Sequence, residues 1–174
     1  MPDEAAHQYL FVAIDRASRW VYVELLPEKT AAQARAFLNR LVDNAPFTIE
    51  KILTDNGKEF TDRFCASGER EPTGRHPFDQ GCIQHRIDHR LITPGHPQTN
   101  GRVERFNGRI SDMLTTTHFD SSQALTDTLT RYVQLYNHQL PQKALGHIAP
   151  VQALKHWQHK GPNASKKQVY NLDA

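Results

Sequence analysis

A mixed α/β domain is the fold class the sequence predicts, and three observations predict it. Two runs of apolar and branched residues, YLFVAID at 9–15 and WVYVELL at 20–26, adjoin across a short polar break. The stretch after Thr30 keeps a helical period, and residues 49–54 are again strand-like and lead into TDNG at 54–57. The order is therefore strand, strand, helix, strand. The last strand delivers Asp55 to its C-terminal end, the edge at which open α/β sheets gather their sites.

Each element has its own justification. The run at 9–15 is nearly continuous in apolar residues, as expected of a central strand. The run at 20–26 reads as half-buried, and RAS with Ser18 supplies the turn of a hairpin. Thr30 is an N-cap residue, and Ala34, Phe37, Leu38, Leu41 and Val42 repeat at helical spacing to about Asp43, after which Pro46 forces an exit. Residues 61–82, with Pro72, Gly74 and Pro77 among scattered charges, read as an irregular insertion. A short strand is expected within 83–92, then the rigid connector PGHP at 94–97. Thr99 or Asn100 caps a helix to about His118, with Val103, Phe106, Ile110, Met113 and Leu114 as its apolar stripe. On that helix Asn100, Glu104, Asn107 and Ser111 fall on one flank, and Arg102, Arg105 and Arg109 on the other. Another helix runs from Ser121 or Ser122 to about His138, and Pro150 opens a final one through Trp157.

Composition bounds the function. A chain of 174 residues, 38% of them apolar, suits one domain with one core. No apolar run is long enough for a membrane span, and MPDEAAHQYLF has no basic leader region, so a cytoplasmic protein without a membrane partner is expected. Cys65 and Cys82, with no CxxC, read as free thiols. A net charge of +2 does not by itself announce a nucleic-acid binder. No P-loop, dinucleotide fingerprint or nucleophilic triad is present in the sequence.

Two carboxylates stand out. Asp55 ends a strand and Glu104 lies in the first turns of a helix, and acids delivered by separate elements are what a hard divalent cation requires. Each also has a plain reading: TDNG is a good strand stop, and an acid near a helix N-terminus is favoured by the macrodipole. Lys58, His96, Asn100, Arg102, Arg105 and Asn107 surround the two acids and are candidates for phosphate contacts; the alternative for each is a solvated polar side chain.

The wording around both acids adds to this. LTDNGKEF together with HPQTNGRVERFNGRI resembles the integrase catalytic core of DDE-type bacterial insertion-sequence transposases, within the retroviral integrase-like superfamily. YNHQLPQKALGHIAPVQAL resembles the continuation those proteins carry after the catalytic helix. The resemblance implies a ribonuclease H-like mixed sheet flanked by helices. It implies Asp55 and Glu104 as the second and third acids of a metal-binding trio holding Mg2+ or Mn2+. It also implies cleavage and strand transfer on mobile-element ends and target DNA by a protein that is a homo-oligomer when intact. On this basis 1–160 is a partial catalytic core with a C-terminal helical extension, and 161–174 is a polar tail. In the family the first acid sits on a strand ahead of the segment that resembles 9–26. Only eight residues precede Tyr9, too few for that strand and its turn at about 3.3 Å per residue. The chain thus reads as lacking the first strand, with Asp15 a hairpin-turn residue, and as catalysing little. Two rivals are a catalytically inactive DNA-binding or dimerising transposase remnant, and a zinc module built on Cys65, Cys82, His85 and His89.

Overall fold

The computed structural model describes residues 8–65, 68–93, 101–115 and 121–160. Strands β1 (Tyr9–Ile14) and β2 (Val21–Leu26) form an antiparallel hairpin in the register Tyr9↔Leu26 to Ile14↔Val21. Its turn is held by Asp15, whose Oδ2 accepts from both the amide and the hydroxyl of Ser18 at 2.6 Å. Asp15 is thereby the turn residue the sequence led us to expect. Helix α1 (Ala31–Asn44) starts on Thr30, whose side chain accepts from the Gln33 amide, and buries Ala34, Phe37, Leu38 and Leu41. Strand β3 (Lys51–Thr54) follows.

The next region corrects the reading of 61–82 as irregular. A small antiparallel pair, β4 (Phe64–Cys65) with β5 (Gly68–Glu69), precedes helix α2 (Pro77–Gln84). Pro77 is not a breaker here but occupies the first helical turn, where its missing N–H costs nothing, and the His76 ring accepts from the Phe78 amide as a cap. Gly81 is where α2 meets α1: a Cβ there would lie 3.0 Å from the Leu38 side chain. The strand sought within 83–92 is accordingly short. It is β6 (Asp88–Leu91), paired parallel to β3 from Lys51↔Asp88 to Thr54↔Leu91. Helices α3 (Gly101–Thr115), α4 (Ser122–His138) and α5 (Pro150–Lys160) complete the order, with α4 capped by Ser121. The expected caps of α3, Thr99 and Asn100, and the tail from Gly161 lie outside the described residues.

Both faces of the hairpin are covered, which explains its nearly unbroken apolar sequence. Phe11 and Ala13 of β1 and Tyr22 and Leu26 of β2 face a core containing Phe37, Leu38 and Leu41 of α1, Phe78 and Cys82 of α2, and Val151 and Leu154 of α5. Their neighbours Leu10, Val12, Ile14, Val21, Val23 and Leu25 point the other way, as the two-residue period dictates, onto Phe106 and Ile110 of α3 and Leu129 and Tyr136 of α4.

One expectation about the sheet changes. β1 is not a central strand among the described residues: it pairs with β2 on one side only, and β3 pairs only with β6, so the two pairs are separate. Between them runs a cavity of about 870 Å³, lined by every residue of β1 and of β3.

Candidate functional site

Asp55 stands directly after β3, and its Oδ1 accepts from the Gly57 amide at 2.9 Å, the Asx turn that TDNG encodes. The following residues staple this turn to β6. The Asn56 side chain donates to the Ile92 carbonyl at 2.9 Å, and the Ile92 amide donates to the Thr54 carbonyl at 3.0 Å. Asp55 is exposed and borders the cavity. Glu104 lies in the first turn of α3 and is also exposed. Val103 and Asn107, which flank Glu104 along the helix, border the same cavity as Asp55. The strand end and the opening turns of α3 therefore share one concave space.

The other candidates divide. Lys58 is exposed in the turn beyond Asp55, with its carbonyl 3.1 Å from the His76 ring. Arg105 and Asn107 are exposed on α3, and Arg102 belongs to the same helix. His96 and Asn100 fall outside the described residues.

Two features of the site escaped the sequence reading. The first is Glu59, 4% exposed although it follows a polar turn. It pairs with Lys29 at 3.0 Å, and the hydrogen bond to Glu59 raises the Lys29 pKa. The Glu59 carboxylate rests on Gly57, where a Cβ would come within 2.6 Å of it; this is the packing reason for the glycine of TDNG. A buried acid can be suspected from a lysine elsewhere only after the fold brings the two together. The second is a hydrogen-bonded chain beneath the strand end. The Thr54 hydroxyl meets His89 Nε2 at 2.8 Å, and His89 Nδ1 meets Asp79 Oδ1 at 2.5 Å. It ties β3, β6 and α2 together immediately before Asp55 and explains how three polar side chains sit among apolar ones.

The same contacts bear on zinc. His89 is engaged by Thr54 and Asp79, His85 by Asn39 at 2.8 Å, and burial pushes the Cys82 thiol up to about 12, far from the thiolate that zinc takes. Among the described residues, no group of three or more His, Cys, Asp or Glu side chains is arranged to hold a metal ion. A magnesium-type ion asks for less, since it commonly takes one or two carboxylates and completes its shell with water and phosphate oxygens. Asp55 and Glu104 are both exposed hard-oxygen donors, and of the two only Asp55 itself borders the cavity.

The strand-end acid, the parallel β3–β6 pair and the flanking helices define a ribonuclease H-like α/β domain. In keeping with this, the catalytic core domain of BIV integrase superposes with a TM-score of 0.63 over 90% of this chain and 91% of that one, at 20% identity. The chain belongs to the integrase core domain family, whose model matches residues 2–97; a second model of the same description matches 85–150. The insertion element IS476 uncharacterized 39.2 kDa protein of Xanthomonas euvesicatoria is 33% identical over 121 residues, covering 67% of this chain and 31% of that protein. The insertion element IS407 uncharacterized 31.7 kDa protein of Burkholderia multivorans is 31% identical over 107 residues, covering 60% and 34%. The chain thus spans about a third of the length of these curated relatives. Among the described residues, no helix is long and apolar enough to cross a membrane.

Proposed function

We propose that this domain performs polynucleotidyl transfer on mobile-element DNA, with Asp55 and Glu104 as the carboxylates that hold Mg2+ or Mn2+. The observation that carries the reading is the cavity bordered jointly by Asp55 and by the residues flanking Glu104, in a chain of the integrase core family. Bound there, the ion would polarise the phosphodiester and stabilise the departing oxygen. The chain's own part is positional. The Asn56–Ile92 staple and the Thr54–His89–Asp79 chain hold Asp55 at the strand end, while the packing of Phe106 and Ile110 fixes the α3 face that carries Glu104. Lys58, His96, Asn100, Arg102, Arg105 and Asn107 are assigned to the phosphate backbone, which positions DNA without reading its sequence. The sites for element ends and target DNA, the assembly of copies into an oligomer, and the division into a core over 1–160 and a tail at 161–174 belong to the same reading.

Paramagnetic Mn2+ tests the metal site. It should broaden backbone signals around both Asp55 and the first turns of α3, and Asp55→Asn and Glu104→Gln should each abolish that pattern. Broadening confined to other residues would overturn the assignment. In a strand-transfer assay on oligonucleotides bearing element ends, Asp55→Asn should cost about 100-fold or more of whatever activity is present. For DNA binding, Lys58→Ala and Arg105→Ala should each lower the salt dependence of affinity by about one counterion.

One observation favours a second reading. The metal assignment has two carboxylates, Asp55 and Glu104, where the resemblance implies three, and the chain is alternatively a DNA-binding or dimerising protein without turnover. That reading expects salt-dependent DNA binding together with strand transfer no faster than in the Asp55→Asn variant.

A further inference from the structure

Arg19, in the turn of the hairpin, carries two costs at once. Its φ of 64° is a left-handed backbone conformation that a residue with a long side chain rarely adopts. Its Nη1 is shut off from solvent and has no hydrogen-bond partner, whereas most buried donors have one. Backbone strain beside an unanswered donor points to a ligand more than to folding. The surroundings narrow the ligand's chemistry. Burial pushes the phenol of Tyr136 in α4 up, and Arg109 of α3 and, more weakly, Arg19 draw it down. Arg109 acts in the same sense on Tyr132, one turn earlier, whose phenol is also raised by burial. Guanidinium groups from the hairpin turn and from α3 thus converge on one face of α4, where the Phe106 ring packs against Tyr132 and Tyr136 at 6.2 and 5.1 Å. The Tyr136 hydroxyl donates to Gln142 Oε1 at 3.3 Å, and the exposed Lys143 is the next residue. Among the described residues, no carboxylate acts on either phenol. Asp15 is turned onto Ser18, and Asp112 is exposed about one turn beyond Arg109. From residue 128 to residue 160 the sequence has four Lys or Arg and no Asp or Glu, a charge of +4 where the whole chain has +2.

This face lies at the end of the hairpin away from Asp55. Lys29 interacts electrostatically with both Tyr9, at the start of β1, and Asp55. Arg19 instead follows the end of β1, beside Trp20, whose ring packs 5.5 Å from Phe47, ahead of β3. The six residues of β1 set the two ends about 20 Å apart. Arg19, Arg109, Tyr132, Tyr136 and Lys143 are all absent from the lining of the cavity beside Asp55. We propose that Arg19, Arg109 and Lys143 form a second binding surface, for the phosphate backbone of nucleic acid, at this far end of the domain. Forked guanidinium groups match phosphate oxygens two at a time, and a donor already removed from water gives the stronger bond. Cations drawn from three elements, beside a stretch without acids, suit an extended polyanion better than a single carboxylate. The surface engages a segment of DNA other than the one at Asp55 and needs no metal. It rests on the proposed function only for the identity of the polyanion.

The test uses the full chain, free of divalent metal, and a short DNA duplex of random sequence. Arg19→Gly removes the guanidinium and relaxes the left-handed backbone, so its urea midpoint should change little. Arg19→Gly, Arg109→Gln and Lys143→Gln should each lower the slope of log affinity against log salt by about one, additively with Lys58→Ala at the other end. Arg109 and Lys143 are exposed, so their variants decide the matter even if Arg19→Gly fails to fold. Amide chemical shifts should move around Arg19–Val21, the last turns of α4 and Lys143 as duplex is added. Unchanged slopes in these variants would overturn the proposal, as would absence of binding. Shifts confined to Asp55 and the first turns of α3 would also overturn it, while leaving the metal-site reading intact. Shifts at Arg19, in a protein where Mn2+ fails to broaden Asp55, would uphold this surface while the proposed function falls. A polyglutamate of matched charge that bound this face more tightly than the duplex would make the partner an acidic polypeptide and overturn the nucleic-acid assignment.

Discussion

The outer edge of β2 and the free edge of β1 belong to one hairpin, yet they are finished in opposite ways. At the β2 edge the buried Asn137 of α4 reaches the backbone of Val21: its Oδ1 accepts from the Val21 amide at 2.9 Å and its Nδ2 donates to the Val21 carbonyl at 2.8 Å. A primary amide thus mimics the next strand with a single residue. At the β1 edge no described residue does this, and a cavity runs along the strand instead. Backbone polar groups in a fold are answered by secondary structure, side chains or water. The hairpin shows a side chain doing so where a helix closes over the sheet, and a ladder edge that no described residue answers on the other side.

The largest expected effect comes from opening the closed edge. Asn137→Ala leaves two buried backbone groups of Val21 without partners and should cost about 3 kcal/mol in urea unfolding. A loss below about 1 kcal/mol would mean that the β2 edge does not depend on this clamp. Next, the packed and open sides should respond oppositely to added volume. Ala34 is fully buried between α1 and the core, so Ala34→Leu should destabilise by about 2 kcal/mol. Ala13 borders the cavity, so Ala13→Leu should stabilise by about 0.5–1 kcal/mol. Equal losses at the two positions would erase the contrast. The smallest effect near neutrality concerns Cys82, buried on the packed side. Its thiol is raised by desolvation, and secondarily by Asp79, from 9.0 to about 12. The folded state therefore holds this proton more tightly than the unfolded one. The resulting stability is complete below about pH 9 and is lost as pH rises from 9 towards 12. Urea midpoints at rising pH should fall in this window for the native protein and fall less for Cys82→Ala.

How much of this was legible depended on whether the signal was local. The hairpin, α1, α3 and α4 could be read because capping residues and apolar periods reside in the segments themselves; Thr30 and Ser121 cap the helices they precede. α2 was hidden because Pro77 and Gly81 look like breakers, whereas the first opens the helix and the second lets it approach Leu38. The turn at Asp55 and its place after a strand were legible in TDNG. The burial of Glu59 against Lys29, the Thr54–His89–Asp79 chain and the facing edges of β1 and β3 were not, since each joins residues distant in sequence. A charged residue beside a turn reads as solvated until its counterion arrives from another element.

The stapling of β3 to β6 carries a last consequence. Asn56 and Ile92 lock the two ends of the crossover beside Asp55, so the intervening β4–β5 segment does not set the position of that carboxylate. Exposed at Glu69, Arg70 and Glu71, the segment is a natural place to splice in an affinity tag or a fluorescent reporter. Such a chimera would offer an optical handle on the domain without touching either acid.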